Sequence, residues 1–259
     1  MITSLQNPKI KWVRKLINNS RFRRQEEVFV VEGVRLAEEA VKADWKAKLV
    51  LFTESLNPRG QQLTLMDAFS GVAEEVSPAV LRSISDTEAP QGILAVLEAK
   101  VLPLPESLDF VLVPDLVRDP GNLGTILRTA SAAGVQAVLI PPETVDPFSA
   151  KVVRSAMGAH FRLSIRISPW DDIDKLIREN TLTVLLATAG EGKIYTELDL
   201  GKPAAWIIGG EAAGASSKAQ QLADYKVQIP MQRDVESLNA ALAVGIVLYL
   251  WRRRLPPEA

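Results

Sequence analysis

AAWIIGGEAAGAS, residues 204–216, opens with an unbroken apolar run that stops at a glycine pair. A strand apolar at every position is buried on both faces, as in a parallel sheet covered by helices on either side. Two more segments follow the same plan. FVLVPD (110–115) leads into DPGNLGTILRTASAAG (119–134), and YKVQIP (225–230) leads into IPMQRDVESLNAALAVG (229–245). Each begins where an apolar run ends and supplies glycine, small polar side chains or free backbone groups. Ligands of parallel α/β sheets bind at the carboxyl ends of strands, so these three segments are the candidate site.

Working outward, QAVLIP (136–141) and TVLLAT (183–188) complete the strands of this region. Helices are expected at about 122–133, 149–156, 171–179 and, longest, from Ser237 to Arg254. Upstream, VFVVEG (28–33), KLVLFT (48–53), GVAEEV (71–76) and GILAVLEA (92–99) alternate with the helix-like RLAEEAVKA, QQLTLMDAF and PAVLRSI, which predicts a separate small α/β domain. Ile10, Val13, Leu16 and Ile17 have helical spacing within 5–18, and Asn18-Asn19-Ser20 ends that run. VLPLPES (101–107), with two prolines and little periodicity, reads as the linker. The expected domains are therefore 1–100 and 108–259, both α/β.

The 259 residues are 47% hydrophobic, ample for packed cores. With no cysteine, disulfides, thiolate metal sites and a cysteine nucleophile are excluded. A single histidine, His160, argues against a zinc site or a histidine-based triad, so no metal is expected, and His160 itself reads as structural. The N-terminus lacks a signal-peptide core, and the apolar run Ala240 to Trp251 is 12 residues long against the ~20 that span a bilayer, which predicts a cytoplasmic protein without a membrane partner. Net charge is −1, but residues 1–24 carry seven basic side chains and no acidic one, leaving −8 on the rest. This basic arm reads either as a polyanion contact or as a solvated helix.

Within the site segments, Gly209-Gly210 fits neither a P-loop nor G-x-G-x-x-G, and Glu211 stands inside the turn. A carboxylate repels a pyrophosphate but favours a sulfonium or ammonium, or fixes a loop by accepting backbone hydrogen bonds. Ser216 or Ser217 can cap the helix that follows. Ile229, Pro230 and Met231 offer an apolar rim for an adenine ring, and Ser237-Leu238-Asn239 opens the last helix, with Ser237 or Asn239 as its cap. In the first segment Pro120-Gly121 turns the chain, Asn122 is the expected N-cap, Gly124 permits a close approach, and Arg128 is the candidate phosphate or catalytic cation.

Asn122, Gly124 and Arg128, then Gly209-x-Glu211-x-x-Gly214, then Ile229-Pro230-Met231 with Ser237-Leu238-Asn239, resemble the motif set of the SpoU (TrmH) family of SPOUT-class RNA methyltransferases. The resemblance implies an α/β fold with a deep trefoil knot in the C-terminal domain, S-adenosylmethionine as cofactor, and a homodimer. It places cofactor contacts at Thr188, Ala189, Gly209, Gly210, Ile229, Met231 and Leu238, and a catalytic region at Asn122, Arg128, Glu211, Ser237 and Asn239. The N-terminal region, through NPKIKWVRKL and FVVEGVRLAEEA, resembles the RNA-binding domain that often precedes this catalytic domain. RSAMGAHFR also resembles the family, with Arg154 and Arg162 as RNA contacts.

The implied reaction is methylation of a ribose 2′-hydroxyl, with ribosomal RNA, of the large subunit, as partner. Transfer RNA is the alternative substrate. A nucleotide-dependent oxidoreductase and a non-catalytic RNA-binding protein are the alternative functions. The last helix, apolar almost all round, is expected in a subunit contact, with Arg252, Arg253 and Arg254 suiting its C-terminal dipole or touching RNA.

Overall fold

The computed structural model describes residues 1–56, 61–199, 201–210, 214–233 and 235–253. Contacts divide the chain into two compact units, one of Met1–Lys100 with Phe148–Phe161, the other of Val101–Pro147 with Arg162–Ala259. Both are α/β.

In the first unit the order is α1 (Pro8–Asn18), α2 (Ser20–Glu26), β1 (Val28–Glu32), α3 (Val34–Lys42), β2 (Ala47–Phe52), α4 (Gln61–Ala68), β3 (Ala73–Glu75), α5 (Pro78–Ile84) and β4 (Ile93–Glu98). The sheet runs β1-β4-β2-β3, with β4 antiparallel to both neighbours and β3 parallel to β2. Ile10, Val13 and Leu16 of α1 pack with Val30, Leu51 and Val96 in one core. Phe29 points to the other side, where it meets Trp45 edge-on at 5.5 Å and His160 stacked at 6.0 Å, with Phe148 and Phe161 around them. His160 is thus a buried ring in an aromatic cluster, as its sequence context suggests.

The Asn18–Ser20 break is present, but a second helix follows it. Asn19 caps α2 by accepting from the Phe22 N–H at 2.9 Å. The basic arm is not uniformly solvated either: Arg23 is buried and donates to the Leu16 and Ile17 carbonyls, the latter at 2.9 Å, closing the open C-terminus of α1.

The second unit contains β5 (Phe110–Asp115), α6 (Pro120–Ala133), β6 (Ala137–Ile140), β7 (Ser164–Ile167), α8 (Trp170–Glu179), β8 (Thr183–Thr188), β9 (Lys193–Ile194), β10 (Ala204–Gly209), α9 (Ser217–Leu222), β11 (Tyr225–Gln228) and α10 (Ala240–Arg252), α7 being the Ala150–Ser155 helix of the first unit. All seven strands are parallel, in the order β7-β6-β5-β10-β8-β11-β9. Val111, Val113 and Ile207 face α8 through Ile173 and Ile177. On the opposite face Trp251 of α10 lies against Phe110 at 6.1 Å and Trp206 at 6.2 Å. Helices cover both faces, which is why the central strands are apolar at every position.

Two boundaries differ from the sequence expectation. Helix α6 begins at Pro120, capped by Asp119, whose carboxylate accepts from the Asn122 N–H at 2.8 Å; Asn122 is therefore inside the first turn and is not the cap. Proline at the first helical position gives up no hydrogen bond there, so the acidic residue before it takes the capping role. Helix α10 starts at Ala240 rather than Ser237, because Asn239 caps it by accepting from the Ala241 and Leu242 N–H groups. Arg254 lies outside the described residues. No helix among the described residues is long and apolar enough to cross a membrane.

Candidate active site

At the carboxyl ends of β8, β10 and β11 the second unit opens a cleft of about 290 Å³. One wall is the end of β8, from Leu186 to Ala189; a second is Ile208, Gly209 and Gly210 of β10 with Gly214 and Ala215 beyond the turn. The third is Lys226, Val227, Ile229 and Met231, and the floor is Ser237, Leu238, Ala240 and Ala243 at the start of α10. All seven residues expected at a cofactor, Thr188, Ala189, Gly209, Gly210, Ile229, Met231 and Leu238, line this one cleft.

Gly209 is needed for its shape. A Cβ there would lie 2.5 Å from the Gly214 carbonyl carbon, so no other residue lets the two limbs of the turn approach this closely. The limbs are joined by the Gly214 N–H donating to the Gly210 carbonyl at 3.0 Å. Opposite, the strap after β8 is closed by Thr188 Oγ1 donating to the Glu191 carbonyl and is fastened to β11, where Gln228 Nε2 donates to Gly192 O at 3.0 Å and Lys226 Nζ pairs with Glu191 at 2.8 Å. The hydrogen bond from Lys226 holds the exposed Glu191 carboxyl below its ordinary range.

The expected catalytic residues among the described ones divide into three sets. Ser237 lines the cleft. Asn239 and Asn122 meet, Asn239 Nδ2 donating to Asn122 Oδ1 at 3.1 Å, and so join the start of α10 to the first turn of α6. Arg128 is exposed on α6 and is not part of the cleft wall. Six residues after Asn122, it is turned by about 120° from it around the helix axis. Glu211 lies outside the described residues. Among the described residues no group of three His, Cys, Asp or Glu side chains is placed to hold a metal.

The cleft is thus an apolar slot with exposed backbone at a glycine turn, next to a small polar cluster at two helix N-termini. The sequence model of the SpoU rRNA Methylase family matches residues 109–249, the whole span that builds it. The chain belongs to the SpoU rRNA methylase family. A second family model, the MRM3-like substrate binding domain, matches residues 7–95. Among relatives of this SpoU chain, the 23S rRNA (guanosine(2553)-2′-O)-methyltransferase RlmP of Bacillus subtilis is 32% identical, over 96% of this chain and 97% of the relative. An AdoMet-bound rRNA methyltransferase from Sinorhizobium meliloti superposes with a TM-score of 0.86 at 32% identity, covering 99% and 98% of the two chains. The SpoU methyltransferase AviRb from Streptomyces viridochromogenes, in complex with AdoMet, gives 0.87 at 27% identity, covering 96% and 98%.

Several wall residues of this SpoU site escaped the sequence reading. Leu186, Ala187 and Ile208 read in the sequence only as strand interior, although ligands of such sheets sit at strand ends. Asp115, the buried last residue of β5, lies outside the cleft wall and has no sequence pattern to mark it.

Proposed function

We propose that the protein is an S-adenosylmethionine-dependent RNA methyltransferase acting on a ribose 2′-hydroxyl of large-subunit ribosomal RNA, in the cytoplasm. The observation that carries this reading is the meeting of three distant segments in one cleft, together with relatives named as 23S rRNA 2′-O-methyltransferases over nearly their whole length.

The cleft suits the cofactor. Ile229, Met231 and Leu238 offer apolar surface to an adenine ring, and the turn at Gly209 leaves backbone groups accessible. The cation in its wall, Lys226, is engaged by Glu191 and does not confront a sulfonium. When bound, S-adenosylmethionine supplies a methyl group activated by the positive sulfur.

A ribose hydroxyl is a poor nucleophile at neutral pH, so alignment carries much of the rate. Ser237 and Asn239 orient the hydroxyl, and Asn122 holds the Asn239 amide. Arg128 binds the substrate phosphate and stabilises alkoxide charge as it develops. Its guanidinium titrates above about 12, so the proton passes to a phosphate oxygen or water rather than to a free arginine base.

Residues 1–100 serve as the RNA-binding domain, 101–107 as the linker, and 108–259 as the catalytic domain. In the basic arm, Lys9 pairs with Glu74, Arg14 donates to Ser83, Lys15 lies over the Phe22 ring and Arg23 caps α1, which leaves the exposed Lys11, Arg21 and Arg24 for phosphates. The enzyme acts as a homodimer through α10, whose Leu242 and Tyr249 are 62% and 52% exposed on the face opposite its buried Val244, Leu248 and Trp251. A deep trefoil knot in the catalytic domain completes the reading.

The test is methyl transfer from labelled S-adenosylmethionine into ribosomal RNA from cells lacking the gene, with the methylated ribose mapped. Arg128→Ala is expected to lower the rate by at least about a hundredfold, as loss of one charge-stabilising group does. No incorporation by the wild-type protein, or full activity of Arg128→Ala, overturns the corresponding part of the reading.

A further inference from the structure

Asp115 ends β5 in register with Gly209 of β10, and it is completely buried. Its Oδ2 accepts the Ser216 backbone N–H at 2.6 Å, across 101 positions of sequence. Its other oxygen, Oδ1, is buried too and accepts no hydrogen bond from a described residue. A buried carboxylate satisfied on one side only is a costly way to stabilise a core.

Its surroundings give it another role. The residue after it, Leu116, has a positive φ of 55°, and its carbonyl lies so near Gly210 that a Cβ there would collide with it. Ser216 is the N-cap of α9, bonding the Ala219 N–H at 3.2 Å. Gly214 and Ala215, just before Ser216, form part of the cleft wall beside Gly209 and Gly210. The far limb of the glycine turn is therefore fixed to β5 at a single charged acceptor.

We propose that Asp115 is a positioning residue for the cofactor: its carboxylate, through the Ser216 N–H, holds Gly214 and Ala215 at the spacing from Gly209 that admits the cofactor. The inference rests on the S-adenosylmethionine reading of the cleft. Asp115 touches no reacting atom in this scheme; it acts through the turn.

Titration calorimetry with S-adenosylmethionine tests it on two pairs of variants, each checked for a native melting transition. Asp115→Ala removes the acceptor, and Asp115→Asn keeps a neutral one. Ser216→Pro removes the donor itself at a φ of −62° that proline accepts, whereas Ser216→Ala removes only the hydroxyl. Dissociation constants are expected to rise at least about tenfold for Asp115→Ala and Ser216→Pro, and by less than about threefold for Asp115→Asn and Ser216→Ala, as loss of a hydrogen bond to a charged group implies.

Equal affinities for wild type and a folded Asp115→Ala overturn the proposal. So does an Asp115→Asn as weak as the alanine form, or a Ser216→Pro that matches Ser216→Ala. If Asp115→Ala does not fold, the serine pair decides. A wild-type protein that binds no S-adenosylmethionine brings down the cofactor reading and this inference with it, whereas normal wild-type binding with insensitive variants brings down this inference alone.

Discussion

Asn239 and Asn122, 117 positions apart, share a hydrogen bond of 3.1 Å, and each stands at the start of a helix. Asn239 uses both ends of its amide: Oδ1 accepts the Ala241 and Leu242 N–H groups, and Nδ2 donates to Asn122. One side chain thus caps α10 and ties it to α6.

Asn239→Ala is expected to cost about 1 kcal/mol of stability through the lost cap. Asn239→Asp keeps the cap but loses the donor to Asn122, so it should restore stability without restoring methyl transfer. Urea unfolding and a methylation assay, run side by side, separate the two effects; parallel recovery of both would show that the cap is all that matters.

Gly209→Ala places a methyl 2.5 Å from the Gly214 carbonyl carbon, inside the narrowest part of the glycine turn. Real Cβ atoms do not sit that close, so the turn must open. Cofactor affinity should fall by about tenfold or more, as loss of site geometry commonly entails, while RNA binding by the first unit is unchanged. An unaltered cofactor dissociation constant would mean that the turn does not bound the binding site.

Asp115 gives stability a definite pH dependence. Burial, the largest effect, pushes its carboxyl above the ordinary value of 3.8, against the lowering by Ser216, whose backbone N–H it accepts; Glu143 adds a smaller push upward. Between 3.8 and the raised value the folded protein holds this proton when the unfolded chain has released it, so stability falls as pH rises through that window. Below it both states are protonated, and above it the penalty is complete. Relative to wild type, Asp115→Asn should therefore gain stability as pH rises through the window and then level off. A stability difference that stays constant from acid to neutral pH would contradict this assignment.

On α10, Leu242 and Tyr249 are exposed two turns apart while Val244, Val247, Leu248 and Trp251 are buried. Leu242→Glu with Tyr249→Glu should leave the monomer folded and halve the sedimenting mass. If the double variant sediments as the wild type does, the contact lies elsewhere.

The central strands β5, β6, β8 and β10 were legible in the amino-acid order because burial on both faces demands apolar residues at nearly every position. The site segments were legible for a related reason: glycine, proline and small polar residues directly after such a run leave few conformations open to the chain. The edge strands β7 and β9 were not. SIRI mixes polar and apolar positions and KI is two residues long, so neither carries a periodic signal.

Local chemistry also could not say which of two neighbouring polar residues caps a helix. Asp119 took the place expected of Asn122, and of the two expected candidates Ser237 and Asn239 it is Asn239 that caps α10. Nor does a count of charges distinguish the buried Arg23 from the exposed Arg24. Composition and pattern specify elements because those depend on a residue and its near neighbours. Convergence of Thr188, Gly209, Ile229 and Leu238 on one cleft, the packing of Phe148–Phe161 with the first unit, and the burial of Asp115 beneath Ser216 depend on contacts across scores of residues, which exist once the strands are laid side by side in their final order.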